Sequence, residues 1–236
     1  MPAVTLALWG GLLADDPGRR DREQQWRRDR VLTHLVRGMG IDPALADAVW
    51  GSTVATLRSA WLDDHHTVGI ARALGEGLAC HGLRPSPGFD ELVADLETRA
   101  LDELPEALPG AREALEALAG RWPVGVICDV RITPAPVLRD VLEMLDLAGP
   151  IDSAVFSDEV GAARPARAPF RIAAQELGVP LSEMVHVGPS EGRDVLGAHA
   201  AGACAVRLGE PPTVAEGHCE SLREVPDTVA AVIDAW

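Results

Sequence analysis

Two stretches of this chain bring acids and arginines close enough to act on one ligand. Asp129 and Arg131 follow an apolar run, Val124–Cys128, and Ser190, Arg193 and Asp194 follow another, Met184–Val187. Asp158 and Arg164 lie between them. A carboxylate can take a proton from a substrate or bond loop amides, and a guanidinium can fork onto a carboxylate or phosphate. Asp129 and Asp194 are therefore the candidate catalytic residues. Each also suits a structural role, Asp129 capping the turn after its strand and Asp194 bonding loop amides. Arg164 suits either a bound anion or an ion pair with Asp158 or Asp194. Ser190 opens a helix, whose first amides favour negative charge. Arg131, Arg164, Ser190 and Arg193 are thus candidate ligand contacts.

Three further groups have polar or aromatic chemistry. In Trp61-Leu-Asp-Asp-His65-His66, an Asp and a His can share a proton or hold a metal. Adjacent helical residues diverge, so a polar turn between helices is the favoured reading, with His65 and His66 kept as ligand contacts. Trp9 follows the first apolar run and suits either a stacking wall or a plug, the plug being favoured. The run from Arg19 to Arg30 suits either a steering patch or a solvated helix face laced with ion pairs, the favoured reading. His186 lies in an apolar strand and reads as a core histidine.

Strands and helices alternate in most of the chain, which implies a parallel sheet covered on both faces. Strands are expected at Val4–Leu8, Val124–Cys128, Ala154–Phe156, Met184–Val187 and Ala203–Leu208. Between and after them, helices are expected up to Gly120, from a Thr133-Pro134 cap to Leu145, over Ala168–Leu177, from Ser190 to Gly202 and over Asp227–Trp236. Residues 15–104 break the alternation and read as four helices, Asp21–Gly38, Asp42 to Leu62, Thr67–His81 and Phe89–Leu101.

Four fragments stand in order along this pattern: Ala7-Leu-Trp9-Gly10-Gly11, Cys128-Asp129, Ser157-Asp158 through Arg164-Pro165, and Gly188-Pro189-Ser190 through Asp194. Together they resemble the haloacid dehalogenase-like (HAD) superfamily. The resemblance implies an α/β fold: a Rossmann-like core of residues 1–14 and 105–236, with an inserted helical cap of residues 15–104 that closes over the pocket. It also implies where the chemistry should be, and there the chain departs. The family nucleophile is an Asp at position 7, which here is Ala7. The acid/base Asp is Trp9, the Thr is Gly11, the Ser or Thr of the second motif is Cys128, the Lys is Arg164, and the first Asp of the fourth motif is Pro189. An alanine methyl has no lone pair with which to attack. The family's magnesium takes carboxylates from the first and fourth motifs, and only Asp194 remains. No metal or other cofactor is expected.

Composition narrows the partners. A formal net charge of −15 argues against nucleic acid. No apolar stretch is long enough to span a membrane, and no signal peptide is evident, so the cytoplasm is the expected location. All 21 basic residues are arginine, so Schiff-base chemistry by lysine is absent. Four cysteines without Cys-x-x-Cys spacing suggest neither disulfides nor zinc, and Cys128 and Cys204 read as buried strand residues. The leading expectation is a HAD-like protein that has lost phosphatase and dehalogenase chemistry. It would run a metal-independent, non-covalent reaction on a small, anionic molecule between cap and core. One alternative is a non-catalytic relative that binds a ligand or a protein partner. The other is a hydrolase given an Asp-to-Ala change at position 7, which would account for Ala7 but not for Gly11 or Pro189.

Overall fold

The computed structural model describes residues 1–212 and 214–236. Among these residues, six strands form one sheet: β1 (Ala3–Ala7), β2 (Val124–Cys128), β3 (Ser153–Phe156), β4 (Met184–Gly188), β5 (Cys204–Leu208) and β6 (Gly217–Cys219). Their spatial order is β3-β2-β1-β4-β5-β6, and every neighbouring pair is parallel. β1 is central, flanked by β2 and β4, so residues just past these three strands converge. β6 was not expected; three residues reading Gly-His-Cys carry no alternation, and only pairing with β5 makes them a strand.

Strand alternation distributes the core. Val4, Leu6, Val124, Val126 and Val185 face α5 (Ala111–Ala119), α6 (Ala135–Met144) and α10 (Val225–Asp234). Ile127, Val155, Met184 and Ala205 face α8 (Arg167–Glu176) and α9 (Leu196–Ala201), across Phe170 and Ala198. A short α7 (Ser157–Val160) follows β3 directly.

The cap comprises α1 (Pro17–Thr33, continued by a π turn to Gly38), α2 (Pro43–Leu62), α3 (Ile70–Cys80) and α4 (Phe89–Asp102). Val31, Leu35, Val49, Trp50, Leu74 and Leu96 form a core of its own, with Ile132 reaching in from below. α1 begins four residues before the expected Asp21. The Asp16 carboxylate accepts from the amides of Gly18 and Arg19 at 3.0 and 2.8 Å, and Pro17 suits the first turn. Thr133 does not cap α6 as expected. Asp158 does so from α7, accepting from the Ala135 amide at 2.9 Å. Among the described residues, no helix is long and apolar enough to cross a membrane.

The turn after β1 sets the floor beneath the cap. Leu12 and Leu13 amides both donate to the Leu8 carbonyl, folding the chain back over the strand end. A Cβ on Gly11 would sit 2.0 Å from the Ala7 carbonyl oxygen, so only glycine allows this approach. Gly11→Ala should therefore cost about 1–3 kcal/mol, the usual range for overpacking. Gly75, inside α3 with open space at its Cβ position, gives the matched control. Gly75→Ala should stabilise by about 0.5–1 kcal/mol. Urea unfolding of both variants checks the pair; equal effects would mean that the turn relaxes freely.

Candidate functional site

Beyond the ends of β1, β2 and β4, the acids do not face open space. Arg164, 5% exposed, lies between two of them. Its Nη2 is 3.1 Å from Asp129 Oδ2, and its Nη1 pairs with Asp194 Oδ1. The Arg164 amide also donates to Asp129 Oδ1 at 2.9 Å. His186 Nε2 is 3.2 Å from Asp194 Oδ1, and its Nδ1 is 2.9 Å from the Thr5 hydroxyl. The tautomer that satisfies both contacts has Nε2–H donating to Asp194 and the Thr5 hydroxyl donating to Nδ1. Asp194 Oδ2 accepts from the Ser190 amide at 2.7 Å. Gly188 makes room for this, since a Cβ there would lie 2.4 Å from the Asp194 carboxyl carbon.

Protonation follows from the pairing. Burial alone would raise the Asp194 pKa, but Arg164, then His186 and the Ser190 amide, more than reverse this and hold it at about 2. Burial lowers the His186 pKa, against the pull of Asp194, and keeps the ring neutral. Burial also opposes charge on Arg164, and the two aspartates overcome it, raising its pKa. Desolvation pushes the Cys128 thiol up, which leaves no thiolate there.

Directly above lies a cavity of about 460 Å³ between cap and core. Of the residues singled out in the sequence, Trp9, Arg131 and His66 line it; Asp129, Arg164, Ser190, Arg193, Asp194 and His65 do not. Ser190 instead caps its own turn, its hydroxyl accepting from the Arg193 amide at 3.2 Å. Arg193 and Arg131 both stack on Trp61, each 5.0 Å from the ring centroid. His65 turns outward at φ +50°, and its carbonyl accepts from the Ala163 amide at 2.7 Å. The segment around it is a polar turn after α2, as favoured from sequence. Cys204, expected in a buried strand, is only half-buried at the start of β5.

The sequence reading missed the cavity's main walls. Arg19, Glu23 and Arg27 are buried on the inner face of α1, at 8, 8 and 6% exposure, instead of forming a solvated face. Glu23 pairs with both arginines, and Arg27 Nη2 reaches Thr133 Oγ1 at 3.1 Å. Arg19 lies over Trp9, 5.7 Å from its centroid. The spacing i, i+4, i+8 in the arginine-rich run was the available signal, because it puts all three on one stripe. Other residues of the run do form outer ion pairs, such as Arg28 with Asp47 and Arg30 with Asp95.

Magnesium, which the family resemblance implies, needs several hard oxygen ligands. Position 7 offers a methyl, position 189 a proline ring, and the Asp194 oxygens are held by Arg164, His186 and Ser190. The residues present do not fit the ion. Among the described residues no other group of three His, Cys, Asp or Glu side chains is placed to hold a metal.

Residues 14–202 match the model of the haloacid dehalogenase-like hydrolase family. The chain is 34% identical over 176 residues to a phosphoglycolate phosphatase of Rhodospirillum rubrum, covering 68% of this chain and 70% of that protein. It is 27% identical over 169 residues to one from Yersinia pseudotuberculosis, covering 71% of each. The fold is shared with a 2-haloacid dehalogenase from Pseudomonas syringae, with a TM-score of 0.67 at 19% identity over 98% of this chain and 99% of that one. A HAD phosphatase from Thermococcus onnurineus gives a TM-score of 0.63 at 22% identity, over 97 and 98%. This chain belongs to the haloacid dehalogenase-like hydrolase family.

Breaking the buried pairs should be costly. Arg164→Met should lose about 3–5 kcal/mol, because it leaves the buried Asp194 carboxylate without a cation and Asp129 only with Arg193 at 4.0 Å; a loss under 1 kcal/mol by urea unfolding would contradict the pairing. The same cluster sets a pH profile. His186 has a folded pKa below its usual 6.5, so its contribution is complete above that value and is lost as pH falls below it. Asp194, held near 2 against a usual 3.8, adds stability above 3.8 that is lost as pH falls toward 2. Tm should therefore decline below about pH 6.5 and again below about pH 4. His186→Gln should flatten the first decline, leaving the part due to His34, whose pKa burial also lowers.

Proposed function

We propose that this protein binds a small organic anion in the cap–core cavity and does not hydrolyse phosphate esters or carbon–halogen bonds through an aspartyl intermediate. The observation that carries the reading is a contrast. Ala7, at the nucleophile position, is fully buried beneath the Gly10-Gly11 turn, while the cavity above it is lined by five arginines, two acids and three tryptophans. Charge-assisted bonds from a guanidinium contribute about 1.5–3 kcal/mol when desolvated, which suits recognition of an anion. The relatives named as phosphoglycolate phosphatases also take an anion, in agreement with that class of ligand. The binding step needs no metal.

Asp15 and His66 also line the cavity, and they favour a second reading, a metal-independent proton transfer on the bound anion. Turnover that survives EDTA and falls with both Asp15→Asn and His66→Gln is its signature.

Phosphoglycolate, p-nitrophenyl phosphate and 2-chloropropionate should not turn over, with or without magnesium. Activity that survives repurification would overturn the reading. Ala7→Asp alone should not create activity, because the new carboxylate would be enclosed under Gly11 with no phosphate or metal contacts beside it. Robust rescue by that one change would favour a disabled hydrolase. Calorimetry with Mg²⁺ should show no micromolar binding; a saturable isotherm abolished by Asp194→Asn would contradict the donor set described above.

A further inference from the structure

We infer that the cavity's ligand is an amphipathic anion, with a planar apolar body about the size of two fused rings and one anionic head. This deepens the reading above and rests on it. Three observations converge. The first is charge. The chain is strongly acidic, yet the cavity lining holds five arginines against Asp15 and Glu23. Glu23 is shared by Arg19 and Arg27, and Asp15 pairs with Arg20 at 3.1 Å. Arg58 and Arg131 make no hydrogen bond or ion pair among the described residues, Arg131 only stacking on Trp61. Positive charge is in excess, so a neutral ligand would leave it uncompensated.

The second observation is a pair of unused donors. Arg19 Nε and Trp61 Nε1 are both buried without a hydrogen-bond partner, and both residues line the cavity. Buried donors are nearly always satisfied, and an acceptor-rich head group, carboxylate or phosphate, would satisfy them. The third is the rest of the wall. Trp50, Val54, Leu57, Ile132 and Leu138 are apolar, and the volume is about 460 Å³. A ligand as small and polar as phosphoglycolate would fill little of that space and desolvate against hydrocarbon. A flat ring system takes up more of it and stacks on tryptophan.

The test is calorimetry on the intact protein with five probes: 1-naphthoate, 1-naphthyl phosphate, neutral 1-naphthalenemethanol, phosphoglycolate and inorganic phosphate. One or both naphthyl anions should bind, and which of them does identifies the head as carboxylate or phosphate. The neutral alcohol, phosphoglycolate and inorganic phosphate should each bind at least about tenfold more weakly. Arg131→Gln, which removes no ion pair and only its stacking on Trp61, should weaken the bound naphthyl anion about tenfold or more with at most a small fall in Tm. Val54→Trp, which takes up cavity volume, should weaken it while sparing inorganic phosphate.

If phosphoglycolate binds and neither naphthyl anion does, the amphipathic ligand is wrong while anion binding stands. If the neutral alcohol matches the anions, the charged head is wrong. If none of the five binds, both this inference and the anion-binding reading fall. A naphthyl anion whose affinity is indifferent to both substitutions binds elsewhere and overturns the assignment.

Discussion

The structure depends on one buried cation. Arg164 sits between Asp129 at the end of β2 and Asp194 below the end of β4, and so ties together three loops that would otherwise repel through their acids. Taking charges out of water is expensive, and such a cluster persists only when each member is paired and further hydrogen-bonded. Here the Arg164 and Ser190 amides, His186 and Thr5 supply the remaining bonds. Asp129 Oδ2 lies 3.1 Å from Arg164 Nη2 without a well-aligned hydrogen bond; the rest of the network is paired, which makes it rigid. It also engages both oxygens of Asp194, so the same interactions that hold the strand ends together keep that acid from a substrate.

With those acids committed downward, the available charge lies higher, in the cap. The Arg19–Glu23–Arg27 stripe on α1 and Arg131 beyond β2 flank a cavity whose aromatic walls come from both layers. The cap is also fastened to the core away from its two linkers. Arg27 reaches Thr133, the Thr67 hydroxyl donates to the Val130 carbonyl at 3.3 Å, and Trp61 lies against Arg131 and Arg193. Arg27, Thr133, Thr67, Val130, Trp61 and Arg131 all line the cavity, so its walls and the cap attachment draw on the same residues. Arg131 and Trp61 belong to both.

The fold was legible because its signals are local. Continuous apolar runs mark β1, β2 and β4, and Asp42-Pro43 marks the start of α2. Failures came where a distant residue made the decision. Asp158 caps α6 from α7, so Thr133, with the right side chain in the right place, receives Arg27 instead. β6 exists only through β5. The site was half legible. The loops carrying Asp129, Arg164 and Asp194 were read correctly as convergent, but whether an acid meets a ligand or an arginine is a matter of tertiary distance. The inner stripe of α1 was hidden by its composition: arginine and glutamate look solvated until i, i+4 pairing lets them neutralise each other and bury their stems.

Ala7 and Gly11 behave as one packing unit. The turn that covers the β1 end is possible because position 11 lacks a Cβ, which would otherwise strike the Ala7 carbonyl oxygen and lie 3.2 Å from the Ala7 methyl. It is tolerable because position 7 carries a methyl and needs no water. A carboxylate at position 7 would require the turn to lift for hydration or for a cation, and a β-branched residue at position 11 would force it to lift in any case. Pro189 closes the third side, its ring 2.8 Å from where a Cβ on Gly10 would stand. Positions 7, 11 and 189 thus meet at one point in space, where backbone and hydrocarbon fill the end of β1. With the end of β1 packed shut around Ala7, the open space and the unpaired charge both lie in the layer above.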